Sequence, residues 1–373
     1  NMEGEINNFI VVWITVLTSL CYCHSIGKSI PKGTTTRVLA ILPVICLFLY
    51  LPLNLTTIYL GSTTAFFIAW LANFKLLLFA FGDGPLSSNP PINIPLSRFI
   101  LIACLPIKIQ SHPSPPNLHK PLNTEIKAYP CHQTTKKCHK SLLNYATKVV
   151  LLATLVHIYS YSEYIHPRII MLLYCFHIYI SLELFLAMVA ALVQATVISL
   201  ELEPQFDEPY LAGSLQDFWG KRWNLMVSSI LHPTIYVPVR SISRRLIGRR
   251  WAPLPAVLAT FFGSAMMHEL IFYYFGRVKP TWEITCFFVL HGLCLAMEIC
   301  IKKAINGKFG LPPIVSGPLV LVFVMVTGIW LFISPILRCD ADVRAARETL
   351  AFIEFVKDVG KTIRFRSFNV VSA

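Results

Sequence analysis

Charged side chains are scarce in this chain. Only 14% of its 373 residues are Asp, Glu, Lys or Arg, whereas about a quarter of the residues in an ordinary soluble domain are charged. Hydrophobic residues make up 55% of the sequence, and the mean hydropathy is +0.61. A surface of this composition is poorly suited to water, so the sequence excludes an ordinary soluble protein and predicts that much of the surface faces lipid.

Acidic residues are the rarer of the two charge signs. The chain holds 19 Asp and Glu against 32 Lys and Arg, a formal net charge of +13. Basic loops of membrane proteins prefer the cytosolic side. We therefore place four segments in the cytosol and the N-terminus on the opposite side: the loop after the first span, 82–147, 201–253 and 302–313. The expected partner is a lipid bilayer, with no nucleic acid.

The N-terminal segment lacks the basic flank and the small-residue cleavage site of a secretory signal peptide, so we interpret its apolar run as a retained span. A bilayer core of about 30 Å needs roughly 20 apolar residues per helix. This length predicts an all-α, polytopic protein of about eight spans. The predicted spans are 9–23, 38–52, 60–81, 148–162, 168–200, 254–275, 282–301 and 314–336. The fifth is too long for one straight span and is expected to tilt, kink or continue outside the membrane.

Three regions follow from this pattern: N-terminal transmembrane helices over 1–81, a Pro-rich basic cytosolic linker over 82–147, and a region over 148–373 that carries the motifs described below. The linker contains a short apolar piece, 99–107, which we expect to lie on the membrane surface or to be re-entrant. It also contains CHQTTKKCH, from Cys131 to His139, whose spacing matches no standard zinc pattern. We expect no metal there, and the role of this loop stays open.

The loop before the sixth span contains SLQDFWGKRWNLMV. Ser214 with Asp217 three residues later resembles a capping box, which predicts the start of a helix. On a continuous helix, Trp219 and Trp223 would lie one turn apart on the same face, and Asn224 would lie about 100° further round.

The second half of the same loop is strongly basic. Arginine binds phosphate bidentately through its planar fork, so these residues are candidates to meet the phosphates of a nucleotide-like cofactor. The alternative is a juxtamembrane helix with an aromatic belt and a patch for lipid headgroups. The basic residues are Lys221, Arg222, Arg240, Arg244, Arg245, Arg249 and Arg250.

A histidine lies in the middle of a predicted span. His268, followed by Glu269, occurs in FFGSAMMHELIFYYF. Ionisable groups at membrane depth usually serve a function or face a water-filled cavity, and a neutral imidazole can take a proton from an alcohol. The alternative is a histidine that only bonds a neighbouring helix. The same question applies to the other polar residues in predicted spans: Asn73, Lys75, His157, His177, Glu183, His291 and Glu298.

A transporter or channel would also carry such intramembrane residues and stays an alternative at this point. Proteins of that class are expected to show repeated halves with broken helices, and the sequence contains no internal repeat.

The two motifs SLQDFWGKRWNLMV and MMHELIFYY, in this order, resemble the membrane-bound O-acyltransferase superfamily. The closer resemblance is to its plant wax synthase branch, which includes long-chain-alcohol acyltransferases, sterol acyltransferases and diacylglycerol acetyltransferases. The likeness extends over most of the chain and includes 65–87, 105–110, 201–220 and 287–292.

This resemblance implies an endoplasmic-reticulum enzyme whose helices enclose a tunnel through the membrane. The catalytic histidine of the family maps onto His268, and the polar residue that ends its W-x-x-x-W-[HN] motif maps onto Asn224. Acyl-CoA is the implied co-substrate, with no other cofactor, and a lipid alcohol is the acceptor. The predicted substrate-binding residues are Asp217, Trp219, Arg222, Trp223, Arg244, Arg245 and Glu269.

His268 is then expected to act as a general base for direct attack on the thioester, without a covalent acyl-enzyme. The sequence contains no DHHC motif, which argues against a Cys-relay acyltransferase. The acceptor (fatty alcohol, sterol or diacylglycerol), the acyl chain length and the oligomeric state stay open.

Overall fold

The structure is a computed structural model that describes five stretches of the chain. Within them the regular secondary structure is helical, and side chains are described as far as residue 357. The described stretches are 2–87, 94–108, 142–196, 202–305 and 311–371. The CHQTTKKCH loop lies outside the described residues.

Within the described stretches, eight helices are long and apolar enough to cross a membrane, which confirms the prediction of an all-α polytopic protein. They are α1 Met2–Ser29, α2 Thr35–Asn54, α3 Ile58–Phe81, α5 Leu142–Tyr159, α6 Pro167–Thr196, α9 Pro253–Gly276, α10 Glu283–Ala304 and α11 Pro313–Arg338. The remaining helices used below are α4 Leu96–Cys104, α7 Leu225–Leu231, α8 Val237–Trp251 and α12 Ala341–Val371. The helix α6 has 30 residues and is therefore about 45 Å long at 1.5 Å per residue. It exceeds the thickness of a bilayer core, so it must tilt or extend beyond it.

The N-terminal helices and part of the later chain share one hydrophobic core. Side chains of α1, α2, α3 and α4 pack in a single cluster that also includes Met226 and Ile230 of α7. The helix α3 is the most enclosed span, with 78% of its apolar window buried. Its middle turns, Ala65–Ala72, are wound as a π-helix, a form that is rare and often found at functional sites.

The short apolar piece near residue 100 is a buried helix and not a surface-lying one. Within α4, Phe99 and Ile102 are 1% and 2% exposed. The ammonium of Lys75, itself 1% exposed, donates to the carbonyl oxygens of Ile102 and Leu105 at 2.6 and 2.7 Å. These carbonyls belong to the end of α4, where the helix dipole favours a cation. Lys75 therefore anchors α4 against α3.

A buried ion pair joins α5 to α6. The ammonium of Lys148 lies 2.8 Å from a carboxylate oxygen of Glu183, and both side chains are less than a tenth exposed. Lys148 also lies 3.5 Å from Glu208 in the loop that leads to the site. A buried charge is tolerated when it is paired and hydrogen-bonded, which gives Glu183 a structural partner inside its span.

Candidate active site

A cavity of about 1820 Å³ extends between the helices α6, α9, α10 and α11 and the segment 215–240. Pockets for drug-sized ligands measure roughly 300–1,000 Å³, so this cavity is large enough for two substrates together. One stripe of α9 lines it from the start of the helix to its middle, at positions three and four apart. The stripe consists of Pro253, Val257, Thr260, Phe261, Ser264 and His268.

His268 lies at the deep end of this stripe. Its Nδ1 is 2.8 Å from the carbonyl oxygen of Ser264, one turn earlier. A carbonyl can only accept, so Nδ1 carries the hydrogen and Nε2 keeps its lone pair. Among the described residues Nε2 has no hydrogen-bond partner. The ring packs against Trp70 and Phe288, with centroid distances of 4.9 and 4.3 Å, so the imidazole is held in one orientation in apolar surroundings.

Asn224 also lines the cavity, and its backbone is left-handed, with φ 39° and ψ 65°. Asn tolerates this conformation better than most residues. Its Oδ1 accepts from the backbone N–H of Val227 at 3.3 Å and so caps α7. The amide Nδ2 has no acceptor within the described stretches, which leaves two N–H groups of Asn224 available to a ligand.

The continuous tryptophan helix expected from the sequence is not present. The cap is confirmed, because Ser214 Oγ accepts from the Asp217 backbone N–H at 3.0 Å. The helical turns end at Arg222, however, and Trp223 is extended, with φ −95° and ψ 123°. The rings of Trp219 and Trp223 nevertheless meet at a centroid distance of 6.2 Å, and both line the cavity.

Hydrogen bonds from an upstream loop end this helix. The Asp207 backbone N–H donates to the carbonyl of Arg222 at 3.0 Å, and the Leu225 N–H donates to the carbonyl of Gln205 at 2.8 Å. The backbone groups around Asn224 are therefore bonded to the loop instead of to the next helical turn. Asn224 owes its unusual conformation to this tertiary pairing.

Trp219 is fixed by a hydrogen-bond relay across three elements. Its Nε1–H donates to His291 Nδ1 at 3.1 Å. His291, which is fully buried, must then carry its hydrogen on Nε2 and donate to Thr327 Oγ1 at 2.9 Å. The Thr327 hydroxyl donates to the carbonyl of Phe323 at 2.7 Å. The relay ties the tryptophan to α10 and α11. His291 therefore has the structural role of a histidine that bonds a neighbouring helix.

Two predicted substrate-binding residues bind each other. Arg222 Nε lies 2.7 Å from Asp217 Oδ2, and its NH1 group donates to the carbonyl of Asp207 at 3.0 Å. Neither Asp217 nor Arg222 lines the cavity. The structure places this pair in the framework that closes the loop around Trp219.

Glu269 also lies outside the cavity wall. One carboxylate oxygen accepts from the backbone N–H and the hydroxyl of Thr285, both at 3.0 Å. Consecutive helical residues point about 100° apart, so the residue after His268 faces α10. Glu269 is therefore placed where it joins α9 to α10.

Six basic side chains line the cavity, and all come from segments that the sequence places in the cytosol. Lys302 forms an ion pair with Glu298 at 2.6 Å, and Lys108 pairs with Glu203 at 2.5 Å. The arginines have no carboxylate within 4.0 Å among the described residues. The six are Lys108, Arg240, Arg249, Arg250, Lys302 and Lys303. Arg244 and Arg245, which the sequence analysis selected, do not line this cavity.

Sequence reasoning missed a second histidine in the wall. His232 lines the cavity and stacks on Tyr236 at a centroid distance of 5.0 Å. Its pKa is lowered by burial and by the charge of Arg240. The spacing of His232, Tyr236 and Arg240, four residues apart, was the available signal for a shared helical face.

The comparisons with known proteins agree with this geometry. Residues 202–290, which include the tryptophan motif and His268, match the sequence profile described as the membrane bound O-acyl transferase family. The chain is 45% identical over 362 residues to a probable long-chain-alcohol O-fatty-acyltransferase 1 of Arabidopsis thaliana, covering 95% of this chain and 98% of that protein.

Two further relatives are similarly close. An acyl-CoA–sterol O-acyltransferase 1 of Arabidopsis thaliana is 43% identical, with coverage of 95% and 98%. A long-chain-alcohol O-fatty-acyltransferase of Simmondsia chinensis is 44% identical, with coverage of 93% and 94%.

The fold and the site therefore define a multi-pass membrane enzyme, and the chain belongs to the membrane bound O-acyl transferase family. Within that family it falls in the plant wax synthase branch, so it is an acyltransferase and not a transporter or channel.

Proposed function

We propose that this chain transfers an acyl group from acyl-CoA to the hydroxyl of a lipid alcohol, with His268 as the general base. One observation carries the proposal. A single cavity contains an imidazole with an unpaired Nε2, an asparagine amide and a set of basic side chains. These are the groups needed to remove a proton, to stabilise an oxyanion and to bind a polyphosphate.

The length of the cavity suits acyl-CoA. Fifteen residues of α9 separate Pro253, beside the basic side chains, from His268, which is about 22 Å along a helix. The phosphopantetheine arm of CoA has about 13 bonds between sulfur and phosphorus, roughly 15 Å when extended like a peptide chain. With its nucleotide at Arg249 and Arg250, CoA spans about two thirds of this distance with its arm, so the pyrophosphate has to lie roughly 7 Å deeper than Pro253 for the sulfur to meet His268.

The reaction then needs one proton relay. His268 Nε2 takes the hydroxyl proton of the alcohol while its oxygen bonds to the thioester carbonyl carbon. The carbon–sulfur bond breaks, and the departing CoA thiolate recovers the proton from the imidazolium. The Ser264 carbonyl stabilises the imidazolium through Nδ1–H. Proton transfer of this kind contributes about 10²–10⁴-fold to the rate.

Asn224 supplies the second catalytic interaction. Its Nδ2–H groups can donate to the thioester carbonyl oxygen as that oxygen becomes negative, and one such donor is typically worth about 10²–10³ in kcat. Capping of α7 by Oδ1 fixes the amide before substrate binds, so little reorganisation is required during the reaction.

The apolar walls accommodate the two hydrocarbon chains. α6 contributes Phe176 and Leu182, and α11 contributes Leu321, Val324 and Met325. Both helices are predominantly exposed along their apolar windows, with 17% and 22% buried, and therefore face lipid. An acceptor dissolved in the bilayer can approach the cavity from this side.

The names of the relatives mention long-chain alcohols and sterols. We propose one of these as the acceptor here, and keep diacylglycerol as a third candidate because it too presents one hydroxyl on an apolar body. We place the enzyme in the endoplasmic reticulum, where its substrates are membrane lipids, and co-fractionation with a resident reticulum marker tests this location.

The experiment uses purified protein in detergent with labelled acyl-CoA and, in turn, a fatty alcohol, a sterol and diacylglycerol. The expected result is ester formation with at least one acceptor and its loss in His268→Ala. His157→Ala is the matched control, since His157 lies in another span and does not line the cavity. Normal turnover by His268→Ala would falsify the assigned base. If the wild type esterifies none of the three acceptors, the proposed acyltransferase activity itself is wrong.

A further inference from the structure

A second, smaller cavity of about 220 Å³ lies beside the basic part of the main one. It is lined by Val237, Arg240, Ser241, Arg244, Arg249 and Ala252. Arg240 and Arg249 line both cavities, so the small groove is continuous with the basic wall. Arg244 lines this small groove, although it does not line the main cavity.

A break in α8 brings the three arginines together. Arg240 and Arg244 lie one turn apart and therefore share a face. Gly248 has φ 80° and ψ 167°, a conformation that is essentially restricted to glycine. The chain changes direction there, and Arg249 approaches Arg240 instead of continuing along the helix. The cluster thus depends on a backbone conformation that other residues do not readily adopt.

The part of the chain that the structure describes places no counter-charge beside this cluster. No described carboxylate lies within 4.0 Å of Arg240, Arg244 or Arg249, and the groove lining contains no Asp or Glu. The three arginines are exposed, and like charges one turn apart repel by only a few tenths of a kcal/mol, a repulsion that an anion bound between them would relieve. The Ser241 hydroxyl adds a neutral donor, and the guanidinium forks suit phosphate oxygens.

The size of the groove limits the anion. At about 220 Å³ it is smaller than pockets for drug-sized molecules, so it holds one small group and not a whole nucleotide within its own walls. One phosphate monoester fits this volume and carries a charge of about −1.5 to −2 at neutral pH. In acyl-CoA the 3′-phosphate of the ribose is such a group, and it lies close to the pyrophosphate.

We propose that this groove binds the 3′-phosphate of CoA while the pyrophosphate lies along the basic wall of the main cavity. The inference rests on the proposed acyl-CoA function and adds selectivity for acyl donors that carry the 3′-phosphate. The enzyme recognises acyl-CoA by Arg240, Arg244 and Arg249, and an acyl donor that carries a 3′-hydroxyl instead of the phosphate binds poorly.

The test compares palmitoyl-CoA with palmitoyl-dephospho-CoA as donors for the purified enzyme in a neutral detergent. The wild type is expected to show a KM higher by roughly 10–100-fold for the dephospho donor, as for loss of a few charge-assisted hydrogen bonds, with similar kcat. Arg244→Gln is expected to bring the two KM values within about threefold of each other by raising only that for palmitoyl-CoA.

Arg245→Gln is the matched control. It removes the same charge one residue further on, and Arg245 lines neither cavity. In Arg245→Gln the ratio of the two KM values is expected to stay at the wild-type level. If loss of charge alone were responsible, Arg245→Gln and Arg244→Gln would change this ratio equally. Arg244→Lys, which keeps the charge and loses the planar fork, is expected to give an intermediate ratio.

Three outcomes overturn the inference. The wild type could show no preference between the donors, or Arg244→Gln could retain the preference, or both glutamine variants could lose it equally. A lipid headgroup is the other source of a phosphate. If the donors are equivalent while Arg244→Gln weakens the binding of short-chain phosphatidic acid to the protein in detergent, the groove is a headgroup site. Each of these results leaves esterification intact, whereas failure of the proposed function removes esterification itself.

Discussion

Asn224 has a backbone role in the structure and a chemical role in the proposed reaction, and three substitutions separate the two. Asn224→Asp keeps the Oδ1 acceptor that caps α7 and keeps a residue that tolerates the left-handed backbone. It replaces the Nδ2 donor by a carboxylate oxygen, which cannot donate and adds a negative charge beside the developing oxyanion. The expected loss is at least 10²-fold in kcat, the value of one oxyanion donor, with an unfolding temperature close to that of the wild type.

Asn224→Gly and Asn224→Ala complete the series. Glycine adopts φ 39° without strain and costs only a few tenths of a kcal/mol as a cap. Alanine loses the cap, for about 0.5–2 kcal/mol, and adds about 1–2 kcal/mol for the left-handed conformation. The alanine variant is therefore expected to be less stable by about 1.5–4 kcal/mol, while all three variants lose at least about 10²-fold in activity.

The assay measures initial ester formation by purified variants together with their thermal unfolding in the same detergent. The account requires activity and stability to separate: aspartate and glycine stable but inactive, alanine both unstable and inactive. Wild-type turnover by the aspartate or glycine variant would refute the assigned donor, and activity loss that follows stability across the series would reduce Asn224 to a cap.

Two further predictions follow from buried polar contacts. Trp219→Phe removes the donor to His291 Nδ1 and is expected to lower stability by about 1–3 kcal/mol; an unchanged unfolding temperature in detergent would show that the relay does not hold the tryptophan. Lys148→Met leaves the buried Glu183 without its ammonium partner and is expected to cost about 3–5 kcal/mol. The double variant Lys148→Met/Glu183→Leu is expected to regain most of that loss, and failure to do so would place the cost in packing instead of charge.

The spans were predictable because they depend on a local property. A window of about 20 apolar residues is required whatever its neighbours are, and the helix α9 observed over Pro253–Gly276 matches the predicted 254–275. Three of the four basic segments, 82–147, 201–253 and 302–313, also contribute basic side chains to one cavity, as expected if they share a side of the membrane. The depth of His268 followed from its position within a span.

The loop around Asn224 was not predictable in the same way. The capping box at Ser214 is local and was recognised, but the end of that helix is set by Gln205 and Asp207, which lie far from Asn224 in sequence. A helical projection from Trp219 therefore failed at Trp223. Glu269 was predicted to bind substrate because it follows His268 in sequence. Its carboxylate instead accepts from Thr285 of α10.

The arginines show the limit of reasoning from composition. The basic run predicted phosphate contacts, yet it could not show that Gly248 breaks the helix and returns Arg249 to Arg240. Arg249 lies near Arg240 only because of the backbone conformation of Gly248. Arg245 consequently lies outside both cavities, although it neighbours Arg244 in sequence.

If one cavity brings a CoA thioester to both His268 and Asn224, an experimental structure of the protein with a thioether analogue of acyl-CoA will show it. We expect the nucleotide at Arg249 and Arg250, the acyl chain between α6 and α11, and the sulfur within about 4 Å of His268 Nε2, the distance of van der Waals contact. A bound analogue whose sulfur lies away from His268, or whose nucleotide occupies the opposite side of the membrane, would contradict it.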